Sequence, residues 1–326
     1  MLLDSRVPCK AYWMRVTTMP LRPRPYDQAV DYGRVGAFLV RTYRTGGAHV
    51  NWLQPRWEYM HHHPNVRHLD LQAIGVWEAR GRVVGVVHPE GMPGEAYFQL
   101  DPRYGFLRSA MLAHAERHLS HSVGGERRLI VACGDRDRRL QARLARTGYA
   151  RTGDRDPTSR LDLAGPESVA RPTLPPGFRL QSLADDNDLA RVDRVLWRGF
   201  GHGDDPPAGG EADRAFVQSA PNYRKELNVV VRAPDGSFAS YCGMWFEPTH
   251  AVAMVEPVAT DPTWRRRGLG RAAVLEGCRR CAALGAVVAL VGSEQPFYRA
   301  LGFRPAYGSS YWSRRWPDEP APGVIG

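Results

Sequence analysis

Cysteine is scarce in this sequence, with five in 326 residues. That low and odd count excludes a disulfide framework. No apolar run reaches the ~18 residues that a membrane-spanning helix needs. The opening Met1-Leu2-Leu3-Asp4-Ser5-Arg6 has no apolar stretch of signal-peptide length. These absences predict a cytoplasmic chain that keeps off membranes. Stacked aromatic and basic surface motifs are also missing, so the basic excess does not point to nucleic acid.

Metal-site spacing is absent too. Cys278 and Cys281 form a C-x-x-C in an Ala/Leu-rich helical stretch, without the second pair a zinc site requires. At that spacing both thiols share one helix face, which predicts packing. His61, His62 and His63 are consecutive, so they cannot all face one ion in a regular element. No metal is expected.

What is present is an ordinary globular balance of 43% hydrophobic and 24% charged residues. The length suits two domains. Net charge is +10, with the positive side almost all arginine, which fits a polyanionic ligand or an acidic substrate. The clearest break in composition is the Pro- and Gly-rich stretch from Ala164 to Gly177, read as a linker. It predicts domains over 1–168 and 169–326.

The two halves repeat one order of elements. Helical patterns over Ala29–Thr42 and Leu189–Phe200 are each followed by a hairpin, the second turning at Pro234-Asp235-Gly236. Strands Glu95–Leu100 and Ala251–Thr260 then end at Asp101-Pro102 and Asp261-Pro262, 160 residues apart. Helices and apolar strands follow, and the halves close on Gly148-Tyr149 and Gly302-Phe303, 154 residues apart. A duplication accounts for this order and spacing.

One segment carries chemistry. Thr260 to Arg271 reads T-D-P-T-W-R-R-R-G-L-G-R, between a β-rich run and an Ala/Leu helix. A strand, a basic glycine turn and a helix start make an anion site, because unpaired N–H groups and the helix dipole converge there. Gly268 and Gly270 remove the Cβ atoms that would bar a phosphate. Glu256 lies on the strand before this loop. After the next strand comes Glu294-Gln295-Pro296-Phe297-Tyr298-Arg299-Ala300-Leu301-Gly302-Phe303, and a final strand is expected at Ser309–Trp316.

Together these residues resemble the GNAT acetyltransferase superfamily, closely over about 178–316 and faintly before it. The Arg265-x-x-Gly268-x-Gly270 loop is similar to its motif A, and Phe297–Phe303 to its motif B. The resemblance implies an α/β (α+β) fold of two tandem GNAT-like domains, each a mixed, mostly antiparallel sheet flanked by helices. It implies an acyltransferase that moves an acetyl group from acetyl-CoA, as co-substrate, to a primary amine of a small molecule. A protein or peptide amine as acceptor, and an acyl-CoA sensor without turnover, are the alternatives. Under this reading Val258, Ala259, Thr260, Arg265, Arg266, Arg267, Gly268, Leu269, Gly270 and Arg271 hold the cofactor. Glu256 is the base for the amine, and Tyr298 protonates the departing thiolate. The chain is expected as a monomer or homodimer.

The first half departs from the pattern. Where the second has Arg265 to Gly270, it has Gly105-Phe106-Leu107-Arg108-Ser109-Ala110, and no tyrosine precedes Gly148 in its last helix. It is expected not to bind coenzyme A productively. The acceptor pocket is expected from Trp197–Asp205 with Tyr223, Trp245, Tyr311 and Trp312 as further walls.

Overall fold

The structure is a computed structural model that describes residues 21–318. The first half runs β1 (Arg24–Pro25), α1 (Gln28–Thr42), α2 (Gln54–His62), β2 (Gly75–Ala79), β3 (Arg82–His88), β4 (Glu95–Leu100), α3 (Arg108–His118), β5 (His121–Val123), β6 (Glu126–Gly134), α4 (Arg138–Arg146) and β7 (Ala150–Asp162). The second runs β8 (Arg179–Ser182), α5 (Leu189–Gly199), α6 (Gly210–Gln218), β9 (Val229–Arg232), β10 (Phe238–Glu247), β11 (Val252–Thr260), α7 (Leu269–Ala283), β12 (Val288–Val291), α8 (Pro296–Arg299) and β13 (Arg304–Pro317).

Local chemistry explains most of these boundaries. Asp27 and Asp188 cap α1 and α5 by accepting from the N–H groups of Ala29 and Arg191. The face of α1 carrying Val35, Phe38, Leu39 and Thr42 is buried, the spacing of one helix side. The β-branched run Val229-Val230-Val231 forms β9, and Asp235-Gly236 turns it into β10, with Gly236 at φ 87°. Beyond the expected elements, the structure adds helices α2 and α6 and strands β1, β5, β7 and β8.

Among the described residues the strands form one sheet, in the order β1-β2-β3-β4-β6-β13-β7-β12-β11-β10-β9-β8, with β5 on the edge of β6. Two pairs are parallel, β4 with β6 and β11 with β12. The other pairs are antiparallel.

The middle of this order is the unexpected part. Consecutive strands usually lie together, which would set β7 beside β6 and β13 beside β12. Instead β7 pairs with β12, from Asp162↔Val288 to Ser159↔Val291. β13 pairs with β6, from Ser309↔Gly134 to Pro317↔Glu126. The two travelling strands pair with each other, from Arg304↔Arg160 to Ser313↔Ala150. Each half has therefore given its last strand to the other.

The cores follow the exchange. Trp312 and Trp316 of β13 pack on the first-half cluster around Met111, Leu129 and Leu144. Leu161 of β7 packs on the second-half cluster around Val255, Val274 and Phe303. A smaller cluster joins the halves directly, with Tyr43 and Leu53 against Val252 and Leu290. Glu58 of α2 accepts from the backbone N–H of Asn222 at 2.5 Å and from its side-chain amide at 2.8 Å. Among the described residues no helix is long and apolar enough to cross a membrane.

Candidate active site

β11 and β12 stay paired only as far as Val255↔Val291. Past that point β11 continues alone on that side from Glu256 to Thr260, and the sheet opens into a cleft. A bulge in β11 falls at this point. Glu256 and Pro257 together face the single Gly243 of β10, between the pairs Met244↔Val255 and Cys242↔Val258. A side chain at Gly243 would run into the carbonyl of Glu256. Trp245 Nε1 donates to that same carbonyl at 3.1 Å.

Thr260 leads into the loop. Asp261 accepts from the Thr263 N–H at 2.8 Å and from Arg198 Nε at 2.6 Å, which fixes the strand end to α5. Burial opposes the Asp261 charge, but Arg198 and Thr263 hold its carboxyl below the usual range. The chain then turns through left-handed backbone at Arg266 (φ 64°) and Gly268 (φ 78°). Gly268 caps α7 without a side-chain bond, and Leu269 and Gly270 open the helix. The first-turn N–H groups there have no intrahelical carbonyl to bond.

Space at this helix start is tight and specific. A Cβ on Gly270 would stand 2.9 Å from Thr260 Oγ1 and 3.5 Å from the Phe297 ring. A Cβ on Gly199, at the end of α5, would stand 2.7 Å from that of Ala259. The structure thus brings Val258–Thr260, the Arg265–Arg271 loop, Gly199 and Phe297 to one end of the cleft. The arginines there differ in role. Arg265 donates to the carbonyls of Gly199 (2.9 Å) and Thr260 (3.3 Å), bracing the loop. Arg267 lies 5.2 Å from the Trp264 ring, and Arg271 donates to Ala300 O at 3.3 Å.

At the other end, Glu256 lines a cavity of about 460 Å³ whose walls come from both halves. The first half supplies Trp52, Arg56, Tyr59, Glu90, Tyr97 and Asp156, among others. Burial pushes the Glu256 carboxyl up to about 7; Glu90 adds to this, Arg56 opposes it, and Asp156 adds less. Tyr298 on α8 is buried in the second-half core, against Phe297 and Phe303. Burial raises its phenol above the ordinary range, with Cys242 and Glu256 adding to the effect, so it stays protonated at neutral pH.

The corresponding place in the first half is differently filled. β4 and β6 pair only at Glu95↔Ile130 and Ala96↔Val131, so a second cleft opens there. The helix after it starts at Arg108, not at a glycine. The Arg108 guanidinium donates to Asp137 at 2.7 and 3.0 Å and to Gly105 O at 3.1 Å. Asp137 is buried, caps α4 through Leu140 N–H, and has His49 Nδ1 at 3.5 Å. Burial works against its charge, but His49, Arg108 and Leu140 N–H bring it down to about 2.

Some expected placements are corrected. The Trp197–Asp205 segment does not line the cavity: Arg198 ties it to Asp204 and Asp261, and the Trp197 ring lies 5.0 Å from His202. Tyr223 borders a separate small recess with Tyr59 and Pro257, and Tyr311 is turned to Tyr97, hydroxyl to hydroxyl at 3.1 Å. His61 is a buried packing residue, bonded to Tyr26 Oη at 3.0 Å and to Trp57 O at 2.9 Å. Cys278 and Cys281 are buried free thiols on α7. No cluster of three metal-ligating side chains occurs among the described residues.

The residues that sequence reasoning missed are Arg56, Glu90 and Asp156. The start of α2 did carry a signal, since Pro55 fits the first helical turn. Nothing local marks the other two.

Residues 192–303 match the model of the Acetyltransferase (GNAT) family. A glucosamine 6-phosphate N-acetyltransferase from Trypanosoma brucei brucei is 30% identical over 95 residues, covering 26% of this chain and 65% of that protein. The match thus spans less than two thirds of that relative. Two solved structures share the fold along nearly the whole chain. A GCN5-related N-acetyltransferase from Sphaerobacter thermophilus superposes with a TM-score of 0.63 at 15% identity, covering 91% of this chain and 96% of its own. A tandem GNAT protein from the clavulanic acid biosynthesis pathway gives 0.61 at 17% identity, covering 92% and 100%. The segment 192–303, which carries the glycine loop and the parted parallel strands, is thus similar to the Acetyltransferase (GNAT) family, and the chain as a whole shares its fold with these two solved structures.

Proposed function

We propose that this protein transfers an acetyl group from acetyl-CoA to a primary amine of a small molecule, in the cavity between its halves. The observation that carries the reading is the placement of Glu256 and the glycine loop at two ends of one unpaired strand segment. The fit to a diphosphate-bearing co-substrate rests on the backbone N–H groups that open α7 behind Gly268, where nothing stands within 4 Å of a Cβ position. Acetyl-CoA supplies the acyl group as a thioester. The N–H groups opening α7, with Arg266 and Arg267 at the mouth, hold the diphosphate. The backbone of Val258, Ala259 and Thr260 orients the arm that leads from it to Glu256. The bulge at Gly243 points Glu256 toward the cavity, where its carboxylate takes a proton from the acceptor ammonium or amine, directly or through water. A base with a pKa near the working pH suits this step. Tyr298 keeps its proton at neutral pH and gives it to the departing thiolate.

A small acceptor is favoured over a peptide because the cavity is walled by both halves, with Trp52, Tyr59, Tyr97 and Tyr307 on its lining. The amino-sugar acceptor named for the trypanosomal relative falls in this class. The first half supplies acceptor walls and, with Arg108 anchored on Asp137 at its helix start, does not take coenzyme A. We place the working division of the chain at 1–168 and 169–326, apart from the exchanged strands. The test is thiol release from acetyl-CoA against amino sugars and their phosphates, amino acids, polyamines and aminoglycosides. Release stimulated by one of these classes is expected. Stimulation by none of them, with folded protein, would remove the reading.

A further inference from the structure

Three charged groups of the first half converge on the cavity that holds Glu256. Arg56 of α2 lies over the Trp52 ring, its guanidinium carbon 4.4 Å from the centroid, and 5.5 Å from that of Tyr97. It grips Glu90 with two bonds of 2.6 Å, through Nε and Nη2. Its Nη1 reaches Asp156 of β7 at 2.9 Å. Two carboxylates share one guanidinium, so the group carries a net negative charge into the cavity. Like charge in such a space disfavours ionisation of a further carboxyl, and a cation there favours it.

We propose that Arg56, Glu90 and Asp156 form a positioning unit through which the first half governs the carboxyl of Glu256, and with it the pH at which the site turns over. The proposal rests on Glu256 being the base of the reading above. The other titratable groups acting with Glu256 are Tyr59 of α2, Cys242 of β10 and Tyr298 of α8. All three have ionisations displaced upward by burial, so they are neutral through the working range. The charged influence on Glu256 therefore comes from the first half, with Glu90 raising its pKa, Arg56 lowering it and Asp156 raising it less. None of the three belongs to the segment that matches the family, which begins at residue 192.

An ion-pair network that merely ties α2 to β7 would make a different prediction, because its loss would alter stability and leave the titration of Glu256 in place. The experiment uses the full chain with ¹³C-labelled glutamate. The Glu256 carboxyl signal is assigned by its disappearance in Glu256→Gln, and its titration is followed beside turnover against pH. The wild-type midpoint is expected near 7. Glu90→Gln, which preserves shape, should lower it by about 1 pH unit, and Arg56→Gln should raise it by about the same amount. Asp156→Asn should lower it less. The acidic limb of turnover should move with the signal. A midpoint unmoved in both Glu90→Gln and Arg56→Gln overturns the proposal. If Arg56→Gln does not fold, Glu90→Gln decides alone, since its midpoint must fall. Should the signal move while no amine is acetylated, the positioning unit stands and the acetyl-transfer reading falls. Turnover with an acidic limb insensitive to Glu256→Gln overturns Glu256 as the base, and the proposal's claim on turnover with it.

Discussion

At the start of α7 bare backbone packs on its neighbours, and at the start of α3 an arginine side chain is anchored on an aspartate. Gly268 and Gly270 open α7 with bare backbone beside Thr260 and Phe297. In the first half the equivalent helix opens on Arg108, locked to a buried aspartate. Both halves keep the parted parallel strands that make a cleft. The difference teaches that the cleft is a property of the fold, while the bare helix start is a property of a few residues. Two halves of one architecture can therefore differ in what their helix starts carry. Here the first half brings charge and aromatic surface to the cavity that holds Glu256.

The sharpest way to break that contrast is to remove the proposed base. Glu256→Gln should cut turnover by about 10²–10³-fold. The remaining activity should lose the rise with pH through about 7 that ionisation of Glu256 produces. Steady-state thiol release across pH checks both. An unaltered profile would put the chemistry elsewhere.

The next test strikes the first half where it differs. Asp137→Ala strips Arg108 of its partner and α4 of its cap, and should cost about 3 kcal/mol in urea unfolding. The sign with pH follows from the lowered Asp137 pKa of about 2. Its ionised form is favoured by folding, so its contribution is full above the unfolded value of about 4 and fades as pH falls toward 2. The variant should lack that part of the acid dependence. Acetyl-CoA affinity should be untouched if the division of labour is right.

A matched pair of glycine substitutions sharpens the comparison further. Gly270→Ala crowds Thr260 and Phe297, and should raise the KM for acetyl-CoA about tenfold. Gly105→Ala in the first half presses on the Arg108 guanidinium, 2.8 Å from the added Cβ, and should leave that KM unchanged. Equal effects would mean that both clefts serve the co-substrate. The smallest effect is expected at Tyr298. Tyr298→Phe should lower kcat severalfold with acetyl-CoA affinity retained, seen by comparing turnover with calorimetric binding.

Much of this molecule was legible residue by residue. Asp235-Gly236, the two Asp-Pro turns and the Gly268-x-Gly270 loop act over a few residues, and the structure places turns and a helix start there. The central strands were not legible as a sheet interior. β7 reads Ala-Arg-Thr-Gly-Asp-Arg-Asp-Pro-Thr-Ser-Arg-Leu-Asp, with charges throughout and a proline that argues against a middle strand. It is stable there because its charges find partners across the chain, Arg155 with Asp135, Asp156 with Arg56 and Asp162 with Arg304. The same non-locality hid the cavity wall. Arg56, Glu90 and Asp156 lie 34 and 66 residues apart in order, and only the exchange of strands makes them neighbours. Trp197–Asp205 looked suited to a pocket by composition, yet Arg198 has a nearer carboxylate in Asp261.

The traded strands also set the order in which this protein can be made. Residues 304–317 fill the place between β6 and β7, so the first half leaves the ribosome with its sheet incomplete. At ordinary elongation rates the missing strand follows β7 by roughly 8–30 s. Through that interval the edge of β6 stands open, or is closed by a provisional pairing with β7 that must later be surrendered. A ribosome that stalls in the second half leaves the first unfinished as well, and a protease that removes β13 from the finished protein takes a strand from the middle of its sheet.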